Sequence, residues 1–229
     1  LQSNLSTAFN KSNSIIMKEK LQDQRIDYTQ GSLEIGDVDP NPLKQFQKWY
    51  EAYEQLKPKD PNAFVLATAG ADGAVHARVL LLKGVDQGGF EFYTNYQSDK
   101  GREMEENPKV SMCFFWPEME RQVRVEGLVE KLTEAESTQY FKSRPHGSQV
   151  GAWVSPQSEV IDSRAFLEER VKHYSDKYES EVPKPPHWGG YRLMPTRIEF
   201  WQGRASRLHD RIVYNKEQGE NWLLNRLAP

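Results

Sequence analysis

The run Ala63-Phe64-Val65-Leu66-Ala67-Thr68, a turn at Asp72-Gly73, and a second run from Ala74 that ends Arg78-Val79-Leu80-Leu81-Leu82-Lys83 read as the two strands of a β-hairpin. The same texture continues downstream. Phe90 to Tyr96 predicts a third strand, and Val110 to Trp116 with Arg121 to Leu132 a further pair. Gly190 to Trp201, Leu208 to Tyr214 and Trp222 to Leu227 complete the set. Seven or eight strands of this length, mostly in hairpin order, predict an antiparallel barrel of the α+β class, mainly β, with peripheral helices.

The helices are marked by their ends. Asn41-Pro42 is an N-cap followed by proline at the first helical position, and Leu43, Phe46, Trp49 or Tyr50, Tyr53 and Leu56 recur at helical spacing until Pro58. Ser98 to Asn107 predicts a short helix closed by Pro108. Thr133 and Glu136 have capping-box spacing and open a helix towards Arg144, where Pro145 forbids simple continuation. A charged helix follows from Ser163 to about Tyr178. Residues 1–38 read as a polar, partly flexible arm, and 39–229 as one domain.

Composition narrows the function. With 30 Lys plus Arg against 33 Asp plus Glu, the net charge of -3 calls for neither nucleic acid nor an anionic membrane. One cysteine, Cys113, excludes an intramolecular disulfide, and its apolar run suits a buried, inert thiol. No stretch has the roughly 20 apolar residues of a membrane span. The chain starts at Leu1 rather than Met, so the expected cytoplasmic location is open to revision if an organelle-targeting segment was removed. Histidines 76, 146, 173, 187 and 209 lack paired metal-ligand spacing, and no Gly-rich phosphate loop is present.

Three sets of polar residues remain. Arg78 and Lys83 flank four apolar residues and point to opposite faces of a strand; they serve two ligands or are simply strand ends in water. Tyr140, Arg144 and Ser148, spaced by four, offer the phenol, guanidinium and hydroxyl that hold a phosphate monoester, or else form a surface helix end. Arg207, His209 and Arg211 share one face of a predicted strand and repel one another unless an anionic ligand or an acidic partner lies opposite. Trp116, Trp153, Trp188 and Trp201 are candidates for a flat ring pocket, although such residues also fill cores.

Taken in order, Arg78 to Lys83, Tyr93-Thr94-Asn95, Arg121-Gln122-Val123-Arg124-Val125-Glu126-Gly127, Tyr140 to Pro145, Gln157-Ser158, Trp188-Gly189-Gly190, Glu199 to Gly203 and Arg207 to Arg211 closely resemble the pyridoxamine 5′-phosphate oxidase family. The resemblance runs from about Asp39 to Pro229. It implies a split β-barrel that binds FMN between the subunits of a homodimer. It also implies oxidation of pyridoxamine and pyridoxine 5′-phosphate to pyridoxal 5′-phosphate, with O2 reduced to H2O2. Position by position it assigns FMN to Arg78, Val79, Leu80, Leu81, Tyr93, Thr94, Lys100, Gln122, Gln157, Ser158, Trp201 and Arg211. Substrate falls to Lys83, Tyr140, Arg144, Ser148, Arg207 and His209, the last two also being the catalytic candidates. Arg25 and Tyr28 match an Arg-x-x-Tyr pattern that some members use to close over substrate. One departure stands out: Asp99 occupies a position where the family usually has a cation on the FMN phosphate, so it either weakens that contact or turns to solvent at the helix N-terminus. The alternatives are a related split-barrel flavin reductase and a non-enzymatic pyridoxal-phosphate or flavin-binding protein.

Overall fold

The structure is a computed structural model describing residues 21–22, 27–86, 88–219 and 221–229. Arg25 lies outside the described residues, as does most of the predicted arm. The strands are β1 (Ala63–Ala69), β2 (Val75–Leu81), β3 (Gly84–Asp86), β4 (Gly89–Asn95), β5 (Lys109–Trp116), β6 (Arg121–Lys131), β7 (Trp188–Gln202), β8 (Asp210–Lys216) and β9 (Trp222–Leu227). They form one antiparallel sheet in the order β2-β1-β5-β6-β7-β4-β3, with β8 also on β7 and β9 on β8. This curled half-barrel, with helices packed around it, is the architecture expected from the strand pattern.

The split originates in β7. One edge of this strand pairs with β6 along its length, whereas the other pairs first with β4, from Trp188 to Leu193, and then with β8, from Arg197 to Gln202. Pro195 stands at the changeover, and the β6 register shifts between Glu126 and Gly127. Proline has no N–H to give to a ladder, so an interior strand tolerates it only at such a bulge. Gly127 is required opposite, because a Cβ there would lie 2.1 Å from the Met194 carbonyl oxygen.

The two sheet faces differ sharply. One carries Phe64, Leu66, Phe92, Phe114, Val123, Phe200 and Ile212, all nearly inaccessible. Helix α1 (Pro42–Glu54) covers this face, capped by Asn41, whose side chain accepts from the amides of Leu43 and Lys44. Phe46 packs edge-on against Phe90 and Phe114, and Trp49 against Phe200. Each such ring contributes roughly 1.5–3 kcal/mol of burial free energy. The opposite face leaves large apolar side chains exposed, among them Val65, Val79, Leu81 and Phe115.

Helices α2 (Asp99–Glu106), α3 (Glu134–Ser143) and α5 (Arg164–Lys177) stand where expected, and the Thr133–Glu136 capping box is closed in both directions. Three features depart from the sequence reading. A short β3 was not anticipated. Beyond the break at Pro145 the chain enters a second helix, α4 (His146–Val154), for which the sequence reading assigned no element. Proline holds Arg144 extended, with ψ 148°, yet a new helix starts freely behind it. The third departure moves a proposed site. β8 begins at Asp210, not Leu208, and Arg207 belongs to a 3-10 turn (Ala205–Arg207). Arg207, His209 and Arg211 therefore do not line one face of a strand. The cause is a pair of left-handed residues, Ser206 (φ 56°) and Arg207 (φ 61°), which break the extended path.

Candidate functional site

The first cluster is built around the N-terminus of α2. Ser98 caps this helix, and Gly101 is obligatory behind it, since a Cβ would fall 2.1 Å from the Tyr96 carbonyl oxygen. That tight approach buries Lys100, only 8% exposed. Its Nζ donates to Ser98 Oγ at 3.2 Å and to Gln157 Oε1 at 3.2 Å. Buried Thr94 donates to the same Gln157 oxygen, and the Asp99 amide donates to Ser158 Oγ. Burial, and then the nearby Arg78 charge, hold the Lys100 ammonium below the ordinary lysine range. Two neighbouring cations near a helix N-terminus favour an anion there. Five expected cofactor residues, Arg78, Thr94, Lys100, Gln157 and Ser158, are thus gathered at this end of the barrel.

The remaining β2 residues extend the cluster. Leu80 is half-buried against the core, while Val79 and Leu81 are exposed on the outer face. β2 ends the sheet, so its outer edge keeps its backbone donors and acceptors open among the described residues. Asp99 is exposed and its carboxylate pairs with Arg102 Nη2 at 2.6 Å. Of the two roles considered for this aspartate, the geometry favours the solvent-facing one.

A second cluster begins at the neighbouring β4 position, Tyr93, beside Thr94 of the first. Tyr93 stacks on Tyr140 with centroids 4.0 Å apart, and Trp188 continues the stack beside Tyr93 at 5.4 Å. The Arg144 guanidinium lies over Trp188, 4.7 Å from its ring centroid. Its Nη1 is buried without any hydrogen-bond partner, an arrangement that calls for an acceptor. Burial lowers the Arg144 pKa and raises that of Tyr140; for Tyr93 burial, reinforced by Glu91, pushes it up to about 12. All three are therefore hydrogen-bond donors at neutral pH. Ser148 is exposed on α4, one turn beyond Arg144. Lys83 is exposed at the β2–β3 junction, on the rim of a cleft of about 370 Å³ lined also by Phe46, Tyr50 and Asn62. No hydrogen bond or ion pair joins Lys83 or the Ser148 hydroxyl to Arg144 among the described residues.

The third cluster lies on the outer sheet face. Register places Gln122, Trp201 and Arg211 in one row across β6, β7 and β8. Trp201 packs on His209 with centroids 4.6 Å apart, and Tyr28 meets both rings edge-on at 5.7 Å. Gly203 makes room for Tyr28, because a Cβ there would come within 2.7 Å of the ring. His209 Nδ1 accepts the Arg204 amide proton at 3.1 Å. A backbone N–H can only donate, so the neutral ring carries its proton on Nε2 and offers it outward. Burial, and then Arg207, lower the His209 pKa and keep it neutral. Arg207 itself is exposed and has no ion-pair partner among the described residues. Arg211, in contrast, is held by Glu199, with Nε 2.9 Å from Oε1. The acidic partner that the repulsion argument required is therefore supplied from within the chain for Arg211.

Glu199 and Glu103 were not singled out from the sequence, yet each organises a cluster. Glu199, 1% exposed, accepts from Arg124, Arg197 and Arg211. Glu103 accepts from Thr68, His76 and Arg78. A carboxylate at alternating strand positions among arginines, as in Arg197-Ile198-Glu199, was the available signal for the first. No hydrogen bond, ion pair or ring contact links the third cluster to the other two among the described residues, and β1, β5, β6 and β7 stand between β2 and β8.

Comparisons with known proteins show the family and the fold. A family model described as pyridoxamine 5′-phosphate oxidase matches residues 50–178, and a pyridoxine 5′-phosphate oxidase C-terminal dimerisation region matches 188–229. A Paraburkholderia phymatum protein named pyridoxine/pyridoxamine 5′-phosphate oxidase is 54% identical over 209 residues, covering 91% of this chain and 99% of its own. A Burkholderia multivorans protein of the same name is 52% identical over 211 residues, covering 91% and 99%. Among solved structures, PhzG from Burkholderia lata 383, in complex with tetrahydrophenazine-1-carboxylic acid, superposes with a TM-score of 0.81 at 28% identity, covering 87% of this chain and 100% of that one. An FMN-binding protein from Nostoc punctiforme shares the fold, with a TM-score of 0.66 at 14% identity, covering 84% and 100%.

Proposed function

The chain belongs to the pyridoxamine 5′-phosphate oxidase family, and on that premise we propose that it oxidises the C4′ carbon of pyridoxamine and pyridoxine 5′-phosphate to the aldehyde of pyridoxal 5′-phosphate. For the alcohol, the CH2–OH group and O2 become CHO and H2O2. For the amine, water is also consumed and ammonia released. FMN, when bound, supplies the hydride acceptor and the route of the electrons to O2.

The observation that carries this reading is the unpartnered, buried Arg144 Nη1 beside the aromatic stack, one β4 position away from a buried lysine site. Lys100 and Arg78 suit the flavin phosphate, and the unpartnered Arg144 Nη1 beside Tyr140 suits the substrate phosphate. The two sites meet at adjacent positions of β4, Thr94 bonding to Gln157 in the first and Tyr93 stacking on Tyr140 in the second. Residues toward the flavin fit its chemistry: a buried cation with hydroxyl and amide groups for phosphate, and an open strand edge at Val79 to Leu81 for the polar rim of a ring. Lys83 and Ser148 are assigned to the same phosphate as Arg144. His209 Nε2–H is the donor toward an oxygen on the pyridine, and Arg207 supplies positive charge beside it. Tyr28, packed edge-on against Trp201 and His209, is assigned to shielding the reacting carbon from water.

We assign these residues to two subunits of a homodimer. The exposed Val65, Val79, Leu81 and Phe115 form a contiguous apolar sheet face that a second copy covers. FMN then lies between the Arg78–Lys100 group of one subunit and the Gln122–Trp201–Arg211 row of its partner. A related flavin reductase remains the alternative. A non-phosphorylated substrate would have no use for Arg144 and Tyr140 together, which favours the oxidase.

The test is the visible spectrum of the purified protein under anaerobic conditions. Addition of pyridoxine 5′-phosphate should bleach the flavin band, and oxygen should restore it as aldehyde forms. A flavin band indifferent to substrate would transfer the assignment to the reductase, and no flavin uptake at all would leave only a binding role. A second expectation concerns Asp99. Because its carboxylate is exposed and already paired with Arg102, Asp99→Arg should change FMN affinity by less than about threefold in a fluorescence titration. A gain much larger than that would mean the aspartate faces the phosphate.

A further inference from the structure

Arg78 lies on an edge strand, where a long side chain has many conformations to lose. Its guanidinium is nevertheless pinned from three sides. Nη1 donates to the Leu66 carbonyl and the Thr68 hydroxyl across the hairpin, and also to the His76 carbonyl on its own strand. Nη2 donates to Glu103 Oε2 at 3.3 Å. Glu103 sits on α2, three residues after Lys100, so a single helical turn carries one cation of the anion site and the carboxylate that holds the other. This carboxylate is 12% exposed and fully engaged, with Oε1 2.7 Å from His76 Nδ1 and Oε2 shared by Thr68 and Arg78.

We propose that Glu103 is a positioning residue for the flavin phosphate: it fixes the Arg78 guanidinium beside Lys100 so that both cations address one anion. This rests on the assignment of the Arg78–Lys100 end to that phosphate. Glu103 has two opposite effects there. Its negative charge weakens the local positive potential, whereas its hydrogen bond orients Arg78. The orienting effect dominates, because Glu103 is the only acceptor for Nη2 among the described residues and also orders Thr68. With that hold gone, mutual repulsion and solvation would draw the guanidinium away from Lys100 despite its remaining carbonyl bonds.

The two effects separate in two variants. Glu103→Gln keeps an acceptor oxygen for Arg78 and removes the charge; Glu103→Ala removes both. Apoprotein is titrated with FMN and with riboflavin, which lacks only the phosphate, and the ratio of the two affinities is the readout. Glu103→Ala should lower that ratio roughly ten- to a hundredfold with riboflavin affinity unchanged, while Glu103→Gln should keep it at or above the original value. Should Glu103→Ala fail to fold, Glu103→Asp retains the charge but withdraws the oxygens, and should lower the ratio likewise. Equal loss of FMN and riboflavin affinity would reduce Glu103 to a staple between α2 and the hairpin and overturn the proposal. An unchanged ratio would do the same. Arg78→Ala separates the underlying assignment: if it leaves the ratio intact, the phosphate is held elsewhere. If it collapses the ratio while Glu103→Ala does not, only the role of Glu103 fails.

Discussion

Arg207→Ala should cut turnover of pyridoxine 5′-phosphate by roughly a hundred- to a thousandfold while FMN affinity changes less than about twofold. The expectation follows from where the guanidinium stands. It is exposed, unpaired among the described residues, and carried on a left-handed backbone at φ 61° beside Ser206 at φ 56°. Two such residues in succession cost about 1–3 kcal/mol each, a strain that folded proteins retain where it aims a side chain. Nothing in the barrel needs Arg207 there, so its removal should leave stability intact. His209 gives a second readout. Burial, and then the Arg207 charge, lower its pKa. Without that charge the pKa rises toward its ordinary value, so the acid limb of the rate profile should move to higher pH. Arg211→Ala is the contrasting control, expected to lose flavin rather than turnover of the loaded enzyme. Equal loss of turnover and FMN in Arg207→Ala would remove the assignment.

The same variant tests how the site is divided. If Arg144 acts with the Arg207 of its partner, then Arg144→Ala and Arg207→Ala place both lesions in one site of a mixed dimer and none in the other. Random exchange makes about half the dimers mixed, each with one intact site of two, so about a quarter of the original activity should return on mixing. No recovery after demonstrated subunit exchange would place both residues in one chain.

Much of this was legible in the sequence because the signals were local. The Asn41-Pro42 cap, the Asp72-Gly73 turn and the Thr133–Glu136 box each specify an element within a few residues, and each stands as expected. What escaped depended on distant partners or on backbone that sequence patterns do not encode. Pro145 marked a break but could not say that another helix follows. Alternation placed Arg207 on a strand, because left-handed Ser206 and Arg207 leave no compositional trace; neither is glycine. The candidate residues Arg78 and Arg211 came from matching motifs, whereas their pairing with Glu103 and Glu199 did not. Glu103 meets an arginine 25 positions away and Glu199 one 75 away, pairings set by sheet register and helix docking.

Glu199 is where that hidden register should have its largest effect on stability. It is 1% exposed and receives hydrogen bonds from Arg124, Arg197 and Arg211, each from a different strand of the outer face or from its own. Burial alone would raise its pKa, but the hydrogen bonds from Arg211, Arg124 and Arg197 outweigh this and bring it from 4.5 down to about 2. A carboxylate whose folded-state pKa is depressed stabilises the fold above its unfolded pKa, and that stabilisation is lost as pH falls through the folded value. The window therefore runs from about pH 4.5 down to about 2, and the free energy involved is roughly 3 kcal/mol. Glu199→Gln leaves the three guanidiniums facing a neutral amide, with Arg124 Nε already buried and unpaired. Urea denaturation of the apoprotein near pH 7 should show a loss of roughly 3 kcal/mol or more, since breaking one side of a buried charge cluster strands the other. As pH falls towards 2 the original protein surrenders the same interaction, so the two stability curves should converge. A gap that stays constant from pH 7 to pH 3 would mean that Glu199 contributes by shape and packing, and that the arginines are balanced by other charges.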